Sequence, residues 1–341
     1  PPPPPPPPPL FFFKHNTPNE IRLSLVGSEM CIRDRSWVNP DSSHSEIGYD
    51  DYLKDGLLDA IEQTRRFYSV DLINSIGYCI GGTLLATGLS YLNARKLEYI
   101  KSASFFTTLT DFEDPGDLSI FVSDEYLNTI KDQIDDLGFM DGDFLSQTFS
   151  FLRSNDLIYG PAVKSYLMGK KPPPFDLLYW NSDSTNLPGK MALEYLEKFY
   201  KNNDFSKGKL EVLGEKVNLE QISQPIIVIG TFNDHIAPWK SSFNGLSKTS
   251  GEKVFILAGS GHIAGIINPE HSNKYGYWIN NENYSTPEKW FNSSINKNGS
   301  WWNEWYEWKK QFLAEKIIST KMIGITEIEP APGRYVKKKN K

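Results

Sequence analysis

Residues 72–92 read LINSIGYCIGGTLLATGLSYL, and the fold turns on this stretch. Leu72–Ile76 is a short apolar run of strand type, Gly77–Gly82 a glycine-rich turn, and Thr83–Leu92 a run compatible with a helix. Strand, sharp turn and helix in that order put Cys79 at the apex, within Gly77-Tyr78-Cys79-Ile80-Gly81. A nucleophile elbow needs this pattern for a steric reason. Its central residue holds a strained, left-handed backbone, and flanking glycines let neighbouring backbone pass close by. The cysteine side chain then stands at the carboxyl edge of a sheet. The amide of Ile80, at the helix N-terminus, points to where an oxyanion forms. The rival reading, a chance pattern around a buried cysteine, does not account for the strand–turn–helix context.

Working outward, Tyr49, Leu53, Leu57, Ile61 and Thr64 recur at helical spacing, so residues 49–67 read as an amphipathic helix. Asp50 and Asp51 sit in its first turn, where carboxylates favour the positive end of the helix dipole. Strand-type runs follow at Ala103–Leu109, Pro225–Gly230 and Lys253–Ala258, the last two β-branched and flanked by turn residues, as buried parallel strands are. Residues 111–215 differ in character. They are rich in Asp, Pro and aromatic residues and are broken by Pro115, Pro161, Pro172–Pro174 and Pro188. They read as an inserted cap between two parts of an α/β core, 36–110 and 216–325, with 326–341 as a tail. The alternation of strands and helices predicts a doubly wound sheet.

A thiol needs a base, and the base needs an orienting group. His262 follows the strand ending at Ala258, and Asp234 follows the strand ending at Gly230. Both lie at the carboxyl ends of predicted parallel strands, where sites in open α/β sheets form. The chain order Cys79, Asp234, His262 is the nucleophile–acid–histidine order of the α/β-hydrolase fold. Taken singly, Asp234 reads equally as a cap residue and His262 as a loop histidine; jointly and in order they read as a triad. His235, adjacent to Asp234, reads as a neighbouring or substrate-contact residue or as a plain loop histidine. His44 and His271 have no such context and are expected in solvent.

Composition narrows the class. A net charge of −6 argues against nucleic acid as the main partner. No run approaches the roughly 18 consecutive apolar residues of a membrane-spanning helix. The two cysteines, Cys31 and Cys79, form neither a disulfide framework nor a metal-ligand pair, and a reducing compartment fits them. Residues 1–35 open with a proline run, Pro1–Pro9, and continue into SLVGSEMCIRDR at 24–35, which resembles a translated sequencing adapter. They are set aside as a leader without stable packing, Cys31 with them. Trp301, Trp305 and Trp308 fall on one face of a C-terminal helix and are expected in the core. The acidic cluster Asp132–Asp143 reads as a solvated face and Lys337–Lys339 as a tail.

Several stretches together resemble class I polyhydroxyalkanoate synthases: SWVNPD (36–41), GYCIGGTLLA (77–86), SFLRSNDLIY (150–159), PPFDLLYWNSDSTNLPG (173–189), DHIAPW (234–239), SGHIAGIINP (260–269), GSWW (299–302) and EPAPGRYV (329–336). The resemblance runs from residue 36 to 336 in the family's order. It implies an α/β-hydrolase fold with a cap, and it matches Cys79 to the family's nucleophile, Asp234 to its triad acid and His262 to its base. The implied reaction joins (R)-3-hydroxyacyl groups from coenzyme A thioesters into a polyester, without metal or redox cofactor. The implied setting is cytoplasmic, at polymer granules, with the polyester chain or granule surface and a second copy of the chain as partners. The family carries a long N-terminal region with early core strands and a second oxyanion donor. The resemblance therefore implies a core incomplete at its N-terminus, with Ile80 as its one backbone donor. A cysteine-dependent thioesterase or lactone hydrolase, and an inactive granule-associated fragment, are the alternatives.

Overall fold

The computed structural model describes residues 37–144, 159–171, 184–280, 282 and 285–313. The leader, Cys31, the Lys337–Lys339 run and the 326–341 tail lie outside the described residues. Helix α1 joins Tyr49–Asp51, a π-helical stretch Tyr52–Leu58, and Asp59–Tyr68. Tyr49, Leu53 and Ile61 are buried as the spacing predicts, but Thr64 is exposed. Its hydroxyl donates to the Ala60 carbonyl at 2.7 Å, a local bond that needs no core.

Strand β1 (Ile73–Tyr78) leads into α2 (Ile80–Ala94) and β2 (Ile100–Phe106). The intervening region holds α3 (Asp124–Leu137) and α4 (Gly189–Tyr195). Strand β3 (Ile226–Thr231), α5 (Trp239–Ser247), β4 (Lys253–Ala258), β5 (Tyr277–Ile279), β6 (Ile295–Lys297) and α6 (Trp302–Lys310) follow, with a short helix, Pro287–Asn292, between β5 and β6 that puts Trp290 into the core. The sheet order is β1-β2-β3-β4-β5-β6, with the first four strands parallel and the last two antiparallel. That is the strand–elbow–helix core of an α/β-hydrolase. Helices lie on both faces of the sheet, as a doubly wound arrangement requires, and among the described strands the order shows no reversal. Helices α1, α2 and α5 cover one face, and α6 covers the other.

Side-chain alternation accounts for this two-sided core. In β3, Ile226 and Val228 face α2 and α5, whereas Ile227 and Ile229 face the tryptophans of α6. In β4, Phe255 and Leu257 go one way, Ile256 and Ala258 the other. Register ties the strand ends together: Tyr78 pairs with Phe106, Phe106 with Ile229, and Ile229 with Ile256. Several predicted boundaries move. Strand β1 starts at Ile73 and runs on through Gly77 and Tyr78, which pair with Phe105 and Phe106; β2 is Ile100–Phe106 rather than Ala103–Leu109, and β3 is Ile226–Thr231 rather than Pro225–Gly230. Thr107 still donates its amide to the Ile229 carbonyl (2.8 Å), but its φ of 42°, unusual for a β-branched residue, turns the chain out of the strand.

Within 111–215 and just past its end, the described strands form short ladders of their own, Phe139–Met140 with Leu187–Pro188 and Leu210–Val212 with Glu215–Val217. Leu127, Ile130 and Ile134 of α3 pack with Met140, Ala192 and Leu196 as a separate apolar cluster. Asp132, Asp135 and Asp136 point outward as predicted, whereas Asp141 and Asp143 of the same cluster are half-buried, the Asp143 amide donating to Asp141 Oδ1 at 2.8 Å. Asp111 pins this region to the core. Its buried carboxylate accepts from Asn203 Nδ2 (2.8 Å) and Lys248 Nζ (2.6 Å), while the Phe112 amide donates to Asn203 Oδ1 (3.0 Å). Burial alone would push the Asp111 carboxyl up, but Lys248 and Asn203 hold it below the usual range. Asp111→Ala leaves the buried Asn203 amide without its acceptor, and should lower the urea-derived unfolding free energy by about 1–3 kcal/mol.

Candidate active site

Cys79 sits between β1 and α2 with φ 51° and ψ −126°. The positive φ was predicted, but this ψ lies outside the left-handed helical basin, in a region costlier for a residue with a Cβ. The backbone around it enforces the geometry. The Cys79 amide donates to the Phe106 carbonyl (3.0 Å), and its carbonyl accepts from Gly82 (2.9 Å) and Thr83 (3.2 Å). A Cβ at Gly77 would lie 2.5 Å from Gly82 Cα, and one at Gly82 would lie 2.0 Å from Thr108 Oγ1. A Cβ at Gly81 would meet nothing within 4 Å. The close approach expected of Gly81 is thus made by Gly82. Ile80 opens α2, so its amide is among the first-turn N–H groups that have no intrahelical acceptor.

Asp234 follows β3 and His262 follows β4, and the two meet: His262 Nδ1 lies 2.8 Å from Asp234 Oδ2. Asp234 is itself fixed. Its Oδ1 accepts from the amides of Ile236 and Ala237, both at 2.9 Å, and its Oδ2 from Thr231 Oγ1 at 3.0 Å. A carboxylate only accepts, so the pairing puts a proton on Nδ1 and leaves Nε2 to face elsewhere. Burial alone would drive this imidazole towards its neutral form. The hydrogen bonds to Asp234 and Cys79, together with their charges, outweigh it and raise the His262 pKa to about 10. The Asp234 pairing can therefore hold a cation on this ring despite its burial.

Other neighbours had no signal in spacing or periodicity. Tyr78 donates its hydroxyl to the His262 carbonyl (3.0 Å) and lays its ring 5.4 Å from the imidazole, nearly edge-on. Tyr195 and Tyr200, from the inserted region, line a small cavity at the thiol with Ile80, Thr83, Leu109 and Ile236. Burial raises the pKa of both tyrosines, keeping them protonated. His235, adjacent to Asp234, is half-buried, and its carbonyl accepts from the Asp117 amide (3.2 Å). His271 is exposed as predicted, whereas His44 is not simply solvated: its Nδ1 lies 2.9 Å from Asp41 Oδ1 in a capping turn. Trp301, Trp305 and Trp308 are buried as predicted. Among the described residues no cluster of His, Cys, Asp and Glu is arranged to hold a metal, and no helix is long and apolar enough to cross a membrane.

No protein-family model matches the chain. Curated relatives do. The chain is 41% identical over 306 residues to the poly(3-hydroxyalkanoate) polymerase subunit PhaC of Rhizobium meliloti, a match covering 89% of the chain and 50% of the relative. It is 39% identical over 313 residues to the subunit of the same name from Cupriavidus necator, covering 89% and 53%. A poly(3-hydroxyalkanoate) polymerase 2 of Ectopseudomonas oleovorans shares 34% over 307 residues, covering 88% and 54%. The chain spans about half the length of these relatives. Among solved structures, a non-heme bromoperoxidase-like protein of Mycobacterium tuberculosis overlaps with a TM-score of 0.38 at 15% identity, over 67% of this chain and 72% of that one.

Two outcomes follow from the geometry. Gly82→Ala should destabilise the protein by about 1–3 kcal/mol in thermal or urea unfolding through overpacking against Thr108, whereas Gly81→Ala should stay near wild type. Because the folded pKa of His262 is raised above its unfolded value near 6.5, the stability it contributes is complete below that value and is lost as pH rises through about 10. The urea midpoint of wild type should exceed that of His262→Gln most at pH 6, and the gap should shrink steadily towards pH 10.

Proposed function

We propose that this chain, 41% identical to a poly(3-hydroxyalkanoate) polymerase subunit across half of that protein's length, belongs to the same family and transfers (R)-3-hydroxyacyl groups from coenzyme A thioesters to a growing polyester. Cys79 is the nucleophile, His262 the base and acid, Asp234 its orienting group, and the Ile80 amide an oxyanion donor. The observation that carries the reading is a cysteine held at positive φ beside a buried His262–Asp234 pair, in a chain 41% identical to a polymerase subunit.

The chemistry follows from the arrangement. The Cys79 thiolate attacks the thioester carbonyl, and the negative charge on its oxygen falls towards the first turn of α2, where Ile80 donates. Coenzyme A leaves as a thiol, taking a proton from the His262 imidazolium. One thioester replaces another, so the exchange is close to neutral and the acyl-enzyme stays reactive. A 3-hydroxyl then attacks the acyl-enzyme carbonyl while His262 accepts its proton, forming the ester bond and freeing the thiol. Asp234 holds the Nδ1 proton and supports the imidazolium in both halves. None of these steps calls on a metal or redox group. Tyr195, Tyr200 and Ile236 help to screen the thiol from bulk water, which favours acyl transfer over hydrolysis. The same reading carries a cytoplasmic setting at polymer granules, a homodimer, and His235 as a substrate-side neighbour.

Incubation with (R)-3-hydroxybutyryl coenzyme A, followed by intact-mass measurement and assay of free coenzyme A, tests this. Wild type should carry a hydroxyacyl adduct that Cys79→Ala lacks, and Asp234→Asn should slow coenzyme A release by about 10²–10⁴. An adduct that survives in Cys79→Ala sinks the assignment.

A further inference from the structure

Trp301 and Trp302 were expected to pack, or had no assigned role, yet both indoles donate into the turn that carries His262. Trp301 Nε1 donates to the Gly265 carbonyl at 2.8 Å, and Trp302 Nε1 to the Ile266 carbonyl at 2.9 Å. That turn is tight. The Gly265 amide closes back on the Gly261 carbonyl (2.8 Å), and a Cβ at Gly265 would lie 2.5 Å from both the Gly259 carbonyl oxygen and Thr231 Cγ2. Gly265 and Ile266 lie at the exit of this turn; the Ile266 carbonyl also accepts from the Asn268 amide at 2.9 Å, so the Trp302 indole is its second donor.

The same helix is tied to the strand of the nucleophile. Trp305 Nε1 donates to Ser104 Oγ at 2.8 Å on β2. Just past the helix, the Phe312 carbonyl accepts from Asn74 Nδ2 (3.2 Å) on β1, and Asn74 Oδ1 accepts from Ser102 Oγ (2.8 Å). One element thus grips the histidine's turn at one end and the cysteine's strand at the other.

We propose that Trp301 and Trp302 are positioning residues that, through their indole N–H groups, set the approach of His262 to the Cys79 thiol. The inference rests on the Cys79–His262 pairing of the proposed function but not on any acyl substrate. Trp308 provides the control. It is buried on the same helix, and among the described residues its indole N–H meets no acceptor.

The test is the pH profile of Cys79 alkylation by iodoacetamide, read by peptide mass mapping on the folded protein. Wild type sets the reference profile. Trp301→Phe and Trp302→Phe keep an aromatic ring and lose the donor. Each should react about tenfold more slowly than wild type at about pH 6 and converge on it by about pH 9.5. Trp308→Phe should follow wild type across the range. A purely structural role would lower the melting temperature of all three without moving the profile. Profiles of Trp301→Phe and Trp302→Phe that superimpose on wild type, or a Trp308→Phe profile shifted equally, overturn the inference. Should Trp301→Phe not fold, the half-buried Trp302 decides alone. A wild type with the simple profile of a free thiol overturns the Cys79–His262 pairing itself, and the inference with it.

Discussion

The site depends on one crossing of backbone: the end of β1 passes against the first turn of α2, with Gly77 and Gly82 too close to admit a side chain between them. That contact holds Cys79 at positive φ and turns its thiol out at the carboxyl end of the sheet. The strain is stored locally and repaid by the buried packing of α2, whose Leu85, Ala86 and Leu89 lie in the main core. Weakening the helix or widening the crossing would let the elbow relax and take the thiol from its neighbours.

A second constraint acts on the imidazole. Asp234 is held by two amides and a hydroxyl before it meets His262, so the carboxylate has little freedom left. Tyr78 holds the histidine's own carbonyl from the side of the nucleophile. The cationic form of the ring is favoured against burial because these partners are already in place when the charge appears, which is the sense in which such a site is preorganised.

Much of this was legible in the sequence. Cys79, Asp234 and His262 could be read because each follows a strand, and strands announce themselves locally; Lys253–Ala258 is found with its bounds unchanged. The family resemblance added the reaction. The misreadings have a common cause. Gly82 matters through Thr108, Tyr78 through His262, and the indoles of Trp301 and Trp302 through carbonyls 36 residues away. Periodicity shows which side chains turn inward, but not which polar atom each one meets there. Thr64 failed for the opposite reason, fitting the helical spacing while satisfying its hydroxyl on its own turn.

The pairing of Tyr78 with Phe106 and of Phe106 with Ile229 also bears on how such a chain can change over evolutionary time. Distances within the site are set by strand register, and the long excursion between β2 and β3 begins and ends at neighbouring strands. Lengthening a flexible loop costs only about 0.6 kcal/mol for each doubling, whereas a one-residue slip in β3 would exchange its two apolar faces. The inserted region is therefore free to vary in length and content, while each strand beneath it must keep its residue count. Substrate range can diversify in the one without recalibrating the other.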